Sequence, residues 1–263
     1  MNNLFSALYL ITFVFLLACS SKKEVQKEEH IRISTSGADS VTNAIYGNIS
    51  LNQLATIPNS VILTGLPDHR LITVYKAKKD GKPASGTQRY SYSYYDEDNN
   101  GGLKHFMPGI DLIYGYNLLN IAHYDMKQEK VNTLFEQPVL IKSLYYPSFT
   151  PDSLDKKPIN RDYYLVSVYD EDTNNDTLIN NKDLRRFYHF NSDCTKKTQL
   201  IPSDYSVVRS QYDSRNDVMF IFARHDANKN GTGDKNDPMH IFWINLKAPA
   251  PAKPMYGIIE DVF

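Results

Sequence analysis

The chain has 263 residues, enough for one sizeable domain, and sets 29 Lys and Arg against 30 Asp and Glu for a formal net charge of −1. That balance gives no global pull toward nucleic acid or acidic lipid, and no basic cluster interleaved with exposed aromatics argues otherwise; nucleic acid is not an expected partner. With 19 Tyr and 12 Phe but a single Trp, the composition favours strands over helices.

The apolar run from Leu4 to Leu17 is shorter than the roughly 20 residues a membrane span needs. It ends in Leu16-Leu17-Ala18-Cys19, followed by Ser20. This end resembles the lipobox of bacterial lipoprotein signal peptides, although Met1-Asn2-Asn3 lacks the usual Lys or Arg. The resemblance implies that residues 1–18 are removed and that Cys19 carries diacylglycerol, usually with a further acyl chain on its amine. Each buried methylene adds roughly 0.8 kcal/mol, so two or three chains anchor stably where one does not. The implied location is the cell envelope: membrane-anchored, with the outer membrane expected, facing the periplasm or the exterior. Residues 19–40 are polar, mixed in charge and almost free of aromatics, so they read as the lipidated cysteine and a flexible tether. Residues 41–263 read as the folded domain. The other cysteine, Cys194, has no intramolecular partner there and lies in the polar turn NSDCTKK, so it reads as an inert loop residue rather than a reactive thiol.

From Val41 the pattern is strand and turn. Strands are expected over Asn59 to Gly65, Leu71 to Ala77 and Arg89 to Tyr95, the last with Tyr90, Tyr92 and Tyr94 on one face. Ile110 to Tyr116, Leu118 to Tyr124, Val131 to Phe135 and Val139 to Tyr145 follow, then a long loop marked by Pro147, Pro151 and Pro158. Further strands fall at Phe187 to Phe190, Ser206 to Arg209, Val218 to Ala223 and His240 to Leu246, before the extended tail APAPAKP. No long amphipathic helix is expected.

Between these strands sit oxygen-rich loops. Tyr164 to Asn191 reads apolar strand, polar loop, aromatic strand, and its loop carries Asp170, Asp172, Asn174, Asp176 and Asp183. Met219 to Leu246 repeats the layout with Asp226, Asn228, Asn230, Asp234 and Asp237. A weaker copy, Tyr90 to Tyr116, holds Asp96, Asp98 and Asn100 but has Met107 where the others have a closing acid, and reads more simply as a turn. Ca²⁺ takes about 6 to 8 oxygen ligands, and Asp or Asn at alternate positions can aim their side chains at one point. Counted from Asp172 and Asp226, Asp183 and Asp237 both stand twelfth. Asp, Asn and Gly are also the commonest turn formers, so a polar hairpin without metal is the competing reading.

The run DTNNDTLINNKDLRRF resembles the calcium loops of EF-hands and dockerin modules, departing from them at Thr177, where glycine is expected. That resemblance implies side-chain ligands at the first, third, fifth and twelfth positions and backbone carbonyls from Leu178 and Thr232 at the seventh. The run DANKNGTGD also resembles the shorter hairpin calcium loop of integrin-type propeller repeats, in which Asp234 would close the site. Aligning the preceding strands instead makes Asp170, Asp226 and Asp96 equivalent. Sequence leaves both the register and the closing acid open.

The units Val139 to Ser192 and Gln199 to Leu246 each hold a leading strand, an aromatic-flanked strand, an acid loop and a closing strand. LVSVYDEDT with RFYHFNSD, and FIFARHDAN with IFWINLK, are similar to TolB-type propeller repeats. The expected fold is therefore all-β, a propeller-like array of four-stranded blades, incomplete or open because the chain holds fewer units than such propellers usually have; a sandwich is the other arrangement. The 7 His residues are scattered without zinc spacing, and no nucleophile elbow or phosphate loop is present. The expectation is a calcium-stabilised binding or scaffold module whose partner is an envelope protein or a glycan. An exported hydrolase on the same scaffold, or a glycan-binding lipoprotein, is the alternative.

Overall fold

In the computed structural model, residues 32–33, 55–77, 87–90 and 107–256 are described. Cys19, most of the tether, Tyr92, Tyr94 and the third loop with Asp96, Asp98 and Asn100 lie outside the described residues. Within them the chain is all-β: every regular element is a strand.

The strands are β1 (Arg32–Ile33), β2 (Thr56–Leu63), β3 (His69–Lys76), β4 (Thr87–Tyr90), β5 (Ile110–Asp125), β6 (Lys130–Thr133), β7 (Leu140–Pro147), β8 (Asp152–Leu154) and β9 (Lys157–Ile159). They continue with β10 (Tyr163–Tyr169), β11 (Leu178–Ile179), β12 (Arg186–Asn191), β13 (Lys197–Gln199), β14 (Tyr205–Asp213), β15 (Val218–His225), β16 (Met239–Asn245) and β17 (Lys253–Tyr256). A nine-stranded sheet runs β13-β12-β10-β7-β5-β3-β2, with β4 and β6 also paired to β5. A four-stranded antiparallel meander, β14-β15-β16-β17, forms the second large sheet. No sheet closes on itself among the described residues.

Two expected strands, Ile110 to Tyr116 and Leu118 to Tyr124, are one 16-residue strand, β5. Its first half pairs with β4 and β7 and its second half with β3 and β6, with an irregularity between Tyr114 and Leu118 where the β7 partner shifts. The proline-marked loop hides the hairpin β8–β9.

The burial patterns explain the layers. On β3, Leu71, Thr73 and Tyr75 are buried at alternate positions, as on a strand with one covered face. β10 is instead buried on nearly every residue, because both of its faces are covered. Tyr164, Val166 and Val168 enter a core with Ile62, Leu71, Ile121 and Phe190, so the large sheet curls around that cluster. Tyr163 and Leu165 enter a second core with Phe187, Met219, Ile221, Phe242 and Ile244, which packs the four-stranded sheet against the large one.

A buried ion pair joins the two sheets. Arg161 donates to both carboxylate oxygens of Asp217 (2.7 and 3.0 Å) and to the Leu246 carbonyl (2.7 Å). Tyr212 Oη donates to the same carboxylate at 3.2 Å, and Tyr163 Oη to the Leu246 carbonyl at 2.7 Å. With Arg161 and Asp217 only 4% and 1% exposed, removing either partner leaves an uncompensated buried charge, a loss of about 3–5 kcal/mol.

Candidate metal centre

Each candidate loop leaves one strand of a sheet and returns on the neighbouring strand. The first, Asp172 to Asp183, links β10 to β12 and contains β11; the second, Asp226 to Asp237, links β15 to β16. Side-chain oxygens fold both loops by accepting their own backbone N–H groups, and five of these bonds recur at the same positions, whereas the Thr173 amide on Asp183 and the Lys182 amide on Asn180 belong to the first loop alone.

Asp172 accepts from the amides of Asp176 (3.1 Å) and Thr177 (2.7 Å); Asp226 accepts from those of Asn230 (3.0 Å) and Gly231 (2.9 Å). Asn174 and Asn228 each accept, at 3.0 Å, from the amide two residues on. Asp176 accepts from the Leu178 amide (2.9 Å), Asn230 from that of Thr232 (2.8 Å). The closing acids accept from the ninth position: Asp183 from the Asn180 amide (2.7 Å), Asp237 from that of Asp234 (2.9 Å). Left-handed backbone also recurs, at Asn175 (φ 57) and Thr177 (φ 67), and at Lys229 (φ 56) and Gly231 (φ 71). One exchange keeps a contact: Asn180 Nδ2 donates to Asp176 at 3.5 Å, whereas Asn230 Nδ2 donates to Asp234 at 2.9 Å.

These bonds make Asp172 equivalent to Asp226, and Asp183 to Asp237. Asp170 stands outside this frame. It accepts from Tyr188 Oη at 2.8 Å, and burial pushes its carboxyl above the usual range. Asp234 occupies the ninth position rather than the last.

The loops also touch each other. Thr173 Oγ1 donates to the Gly231 carbonyl at 2.5 Å, and the Gly233 amide donates to the Lys182 carbonyl at 3.1 Å. Asp183 and Thr232 form an antiparallel bridge. A Cβ on Gly231 would stand 1.8 Å from the Thr173 carbonyl oxygen, so this junction admits only glycine. β1 pairs in parallel with β11, Arg32 opposite Leu178 and Ile33 opposite Ile179, so the backbone of two residues of the expected tether joins the first loop.

Asp183 is 1% exposed. Burial pushes its carboxyl up; backbone donation from Asn180, Thr173 and Asn174 opposes this, and the charge of Asp172 adds to it. Among the described residues, no three His, Cys, Asp or Glu side chains form a metal-holding group by themselves. Each frame instead mixes carboxylates with the amide oxygens of Asn174, or of Asn228 and Asn230.

Some clusters escape sequence reading. His69 Nδ1 lies 2.8 Å from His123 Nε2, and Tyr205 Oη lies 2.8 Å from His240 Nδ1 with His225 stacked alongside. Their only signal is cross-strand register, which no local spacing reveals. Cys194 is buried in the first core, and burial pushes its thiol upward, in keeping with an unreactive side chain. Among the described residues no helix is long and apolar enough to cross a membrane.

No protein-family model matches the chain, and a search of curated proteins finds no match.

Proposed function

We propose that this chain is an exported, lipid-anchored envelope protein whose β loops are stiffened by Ca²⁺ and whose domain serves as a binding or scaffold module. One observation carries the reading: two loops on different sheets share five side-chain-to-amide bonds at the same positions. A generic polar turn needs one or two such bonds. A frame repeated over twelve positions, with acids at both ends, is the arrangement a hard cation with oxygen ligands selects.

In this reading Asp172, Asn174, Asp176 and Asp183 ligate the first ion by side chain, with the Leu178 carbonyl. Asp226, Asn228, Asn230 and Asp237 ligate the second, with the Thr232 carbonyl. Bound Ca²⁺ would offset the burial of Asp183 and cross-link the loop ends. Cys19 carries the lipid anchor, and the outer membrane is the proposed location. The finer fold reading is a propeller-like array. Supporting it, β14-β15-β16-β17 is a sequential four-stranded meander, and it packs through one core against the β7-β10-β12-β13 end of the nine-stranded sheet.

The test is thermal unfolding of the purified protein in chelator and in millimolar calcium. Binding at a hundredfold excess over Kd adds about 2.7 kcal/mol, which raises the melting temperature by about 5–10 °C. Identical curves would refute structural calcium. Mass spectrometry of the membrane-extracted protein tests the anchor: acyl chains on Cys19 support it, and an unmodified chain beginning at Met1 refutes it.

A further inference from the structure

The two candidate loops meet at Thr173, which stands between Asp172 and Asn174 and is not among the proposed ligands. Its hydroxyl accepts from the Leu184 amide at 2.8 Å. Two acceptors then face the same hydroxyl: the Gly231 carbonyl at 2.5 Å and Asp183 Oδ1 at 3.2 Å. A hydroxyl carries one proton, so these acceptors compete for it. One belongs to the second loop; the other belongs to the acid that closes the first.

Both competitors are tied into their loops. Asp183 Oδ1 also accepts from the Thr173 amide at 2.8 Å, and Oδ2 accepts from the Asn180 amide at 2.7 Å. A carboxylate has roughly four lone-pair sites, so the Thr173 hydroxyl takes up the third. On the other side, Gly231 precedes Thr232, the proposed carbonyl ligand of the second loop. Thr232 is bridged to Asp183, and the Gly233 amide donates to the Lys182 carbonyl at 3.1 Å. The closing acid of one loop and the carbonyl ligand of the other therefore share one junction.

We infer that Thr173 is a positioning residue that couples the two loops, so that calcium held in one raises the affinity of the other. A carboxylate that shares its charge with a cation is a poorer acceptor for a neutral hydroxyl. Filling the first loop thus commits the Thr173 proton to the Gly231 carbonyl and fixes the backbone next to Thr232. Filling the second loop fixes Gly231 against Thr173, which draws the proton from Asp183 and frees a lone pair there for the first ion. The effect is mutual, as any coupling of two affinities must be. The inference rests on the calcium reading for its ligand, but not for the link between the loops.

Calorimetric titration with Ca²⁺ of the purified protein and of Asp172→Ala and Asp226→Ala, each keeping one loop intact, measures the coupling. The product of the two wild-type binding constants should exceed the product of the two single-loop constants by about fivefold or more. Thr173→Val should bring that ratio close to unity, and Thr173→Ser, which keeps the hydroxyl, should restore it. A ratio near unity in the wild-type protein would overturn the inference and leave the calcium reading standing. Amide exchange in chelator tests the link without the ion. Thr173→Val should quicken exchange at Asn230 and Gly231, whose amides bond within the second loop alone. Quickening confined to the first loop would overturn the link. Absence of calcium binding would overturn the affinity coupling together with the calcium reading, and exchange quickened in both loops would then support the link by itself.

Discussion

The two acid loops share one hydrogen-bond frame but differ at the position where the backbone turns hardest. The second loop puts Gly231 at φ 71, and the first puts Thr177 at φ 67. A left-handed β-branched residue costs about 1–2 kcal/mol relative to glycine. The first loop therefore holds the same shape against a backbone preference, and has more to hold it: β1 paired along β11, and an Asp183 carboxylate that accepts from both the amide and the hydroxyl of Thr173. The second loop needs less support, because its glycine makes the turn without strain and lets Thr173 approach. The pair shows that geometry common to two loops can rest on different local terms.

The most severe disturbance of this comparison separates the sheets that bear the loops. Arg161→Leu, by stranding the Asp217 charge, is expected to lower stability by about 3–5 kcal/mol in chemical denaturation. A loss below about 1 kcal/mol would mean the clamp contributes little. Next comes Gly231→Ala, which meets the Thr173 carbonyl and adds about 1–2 kcal/mol of backbone strain. Amide exchange should quicken in both loops; quickening confined to Asn228 through Asp237 would show that the loops are independent. Thr177→Gly should act the other way, stabilising by about 1 kcal/mol and raising the melting temperature by about 2–4 °C. A fall would mean that the Thr177 side chain, not its backbone, matters.

The smallest effect is expected from acid. Burial, and then the charge of His69, hold His123 below its ordinary value, with Asp125 and Asp193 opposing. The unfolded chain takes that proton near the ordinary 6.5, whereas the folded chain resists it. Stability from this group is thus complete above that pH and declines as pH falls toward the folded value. His123→Gln should flatten the pH dependence of melting between pH 7 and 5, and an unchanged slope would remove His123 as its source.

Much of this architecture is legible in sequence because its signals are local. Alternating Asp and Asn, the twelfth-position acids and the aromatic closing strands all lie within one hairpin, and β2, β3, β7, β15 and β16 fall near their expected places. The register of the loops is open in sequence between Asp170 and Asp172, since the preceding strands align Asp170 with Asp226 whereas the twelfth-position acid is counted from Asp172. The backbone amides that choose between them carry no sequence mark. Arg161 and Asp217 lie far apart in the chain and meet only because the sheets stack. The single long β5 reads in sequence as two strands, Ile110 to Tyr116 and Leu118 to Tyr124, divided at Asn117. The hairpin β8–β9 was hidden by prolines that sit at an edge, where no ladder bond is lost. The histidine clusters depend on cross-strand register, which the turns around them do not announce.

Calorimetric titration of the purified protein with Ca²⁺ probes the central claim most directly. Two sites are expected, with Asp172→Ala and Asp226→Ala each removing one and leaving the other. Absence of binding heat in the wild-type protein, together with a melting temperature indifferent to calcium, would contradict the account.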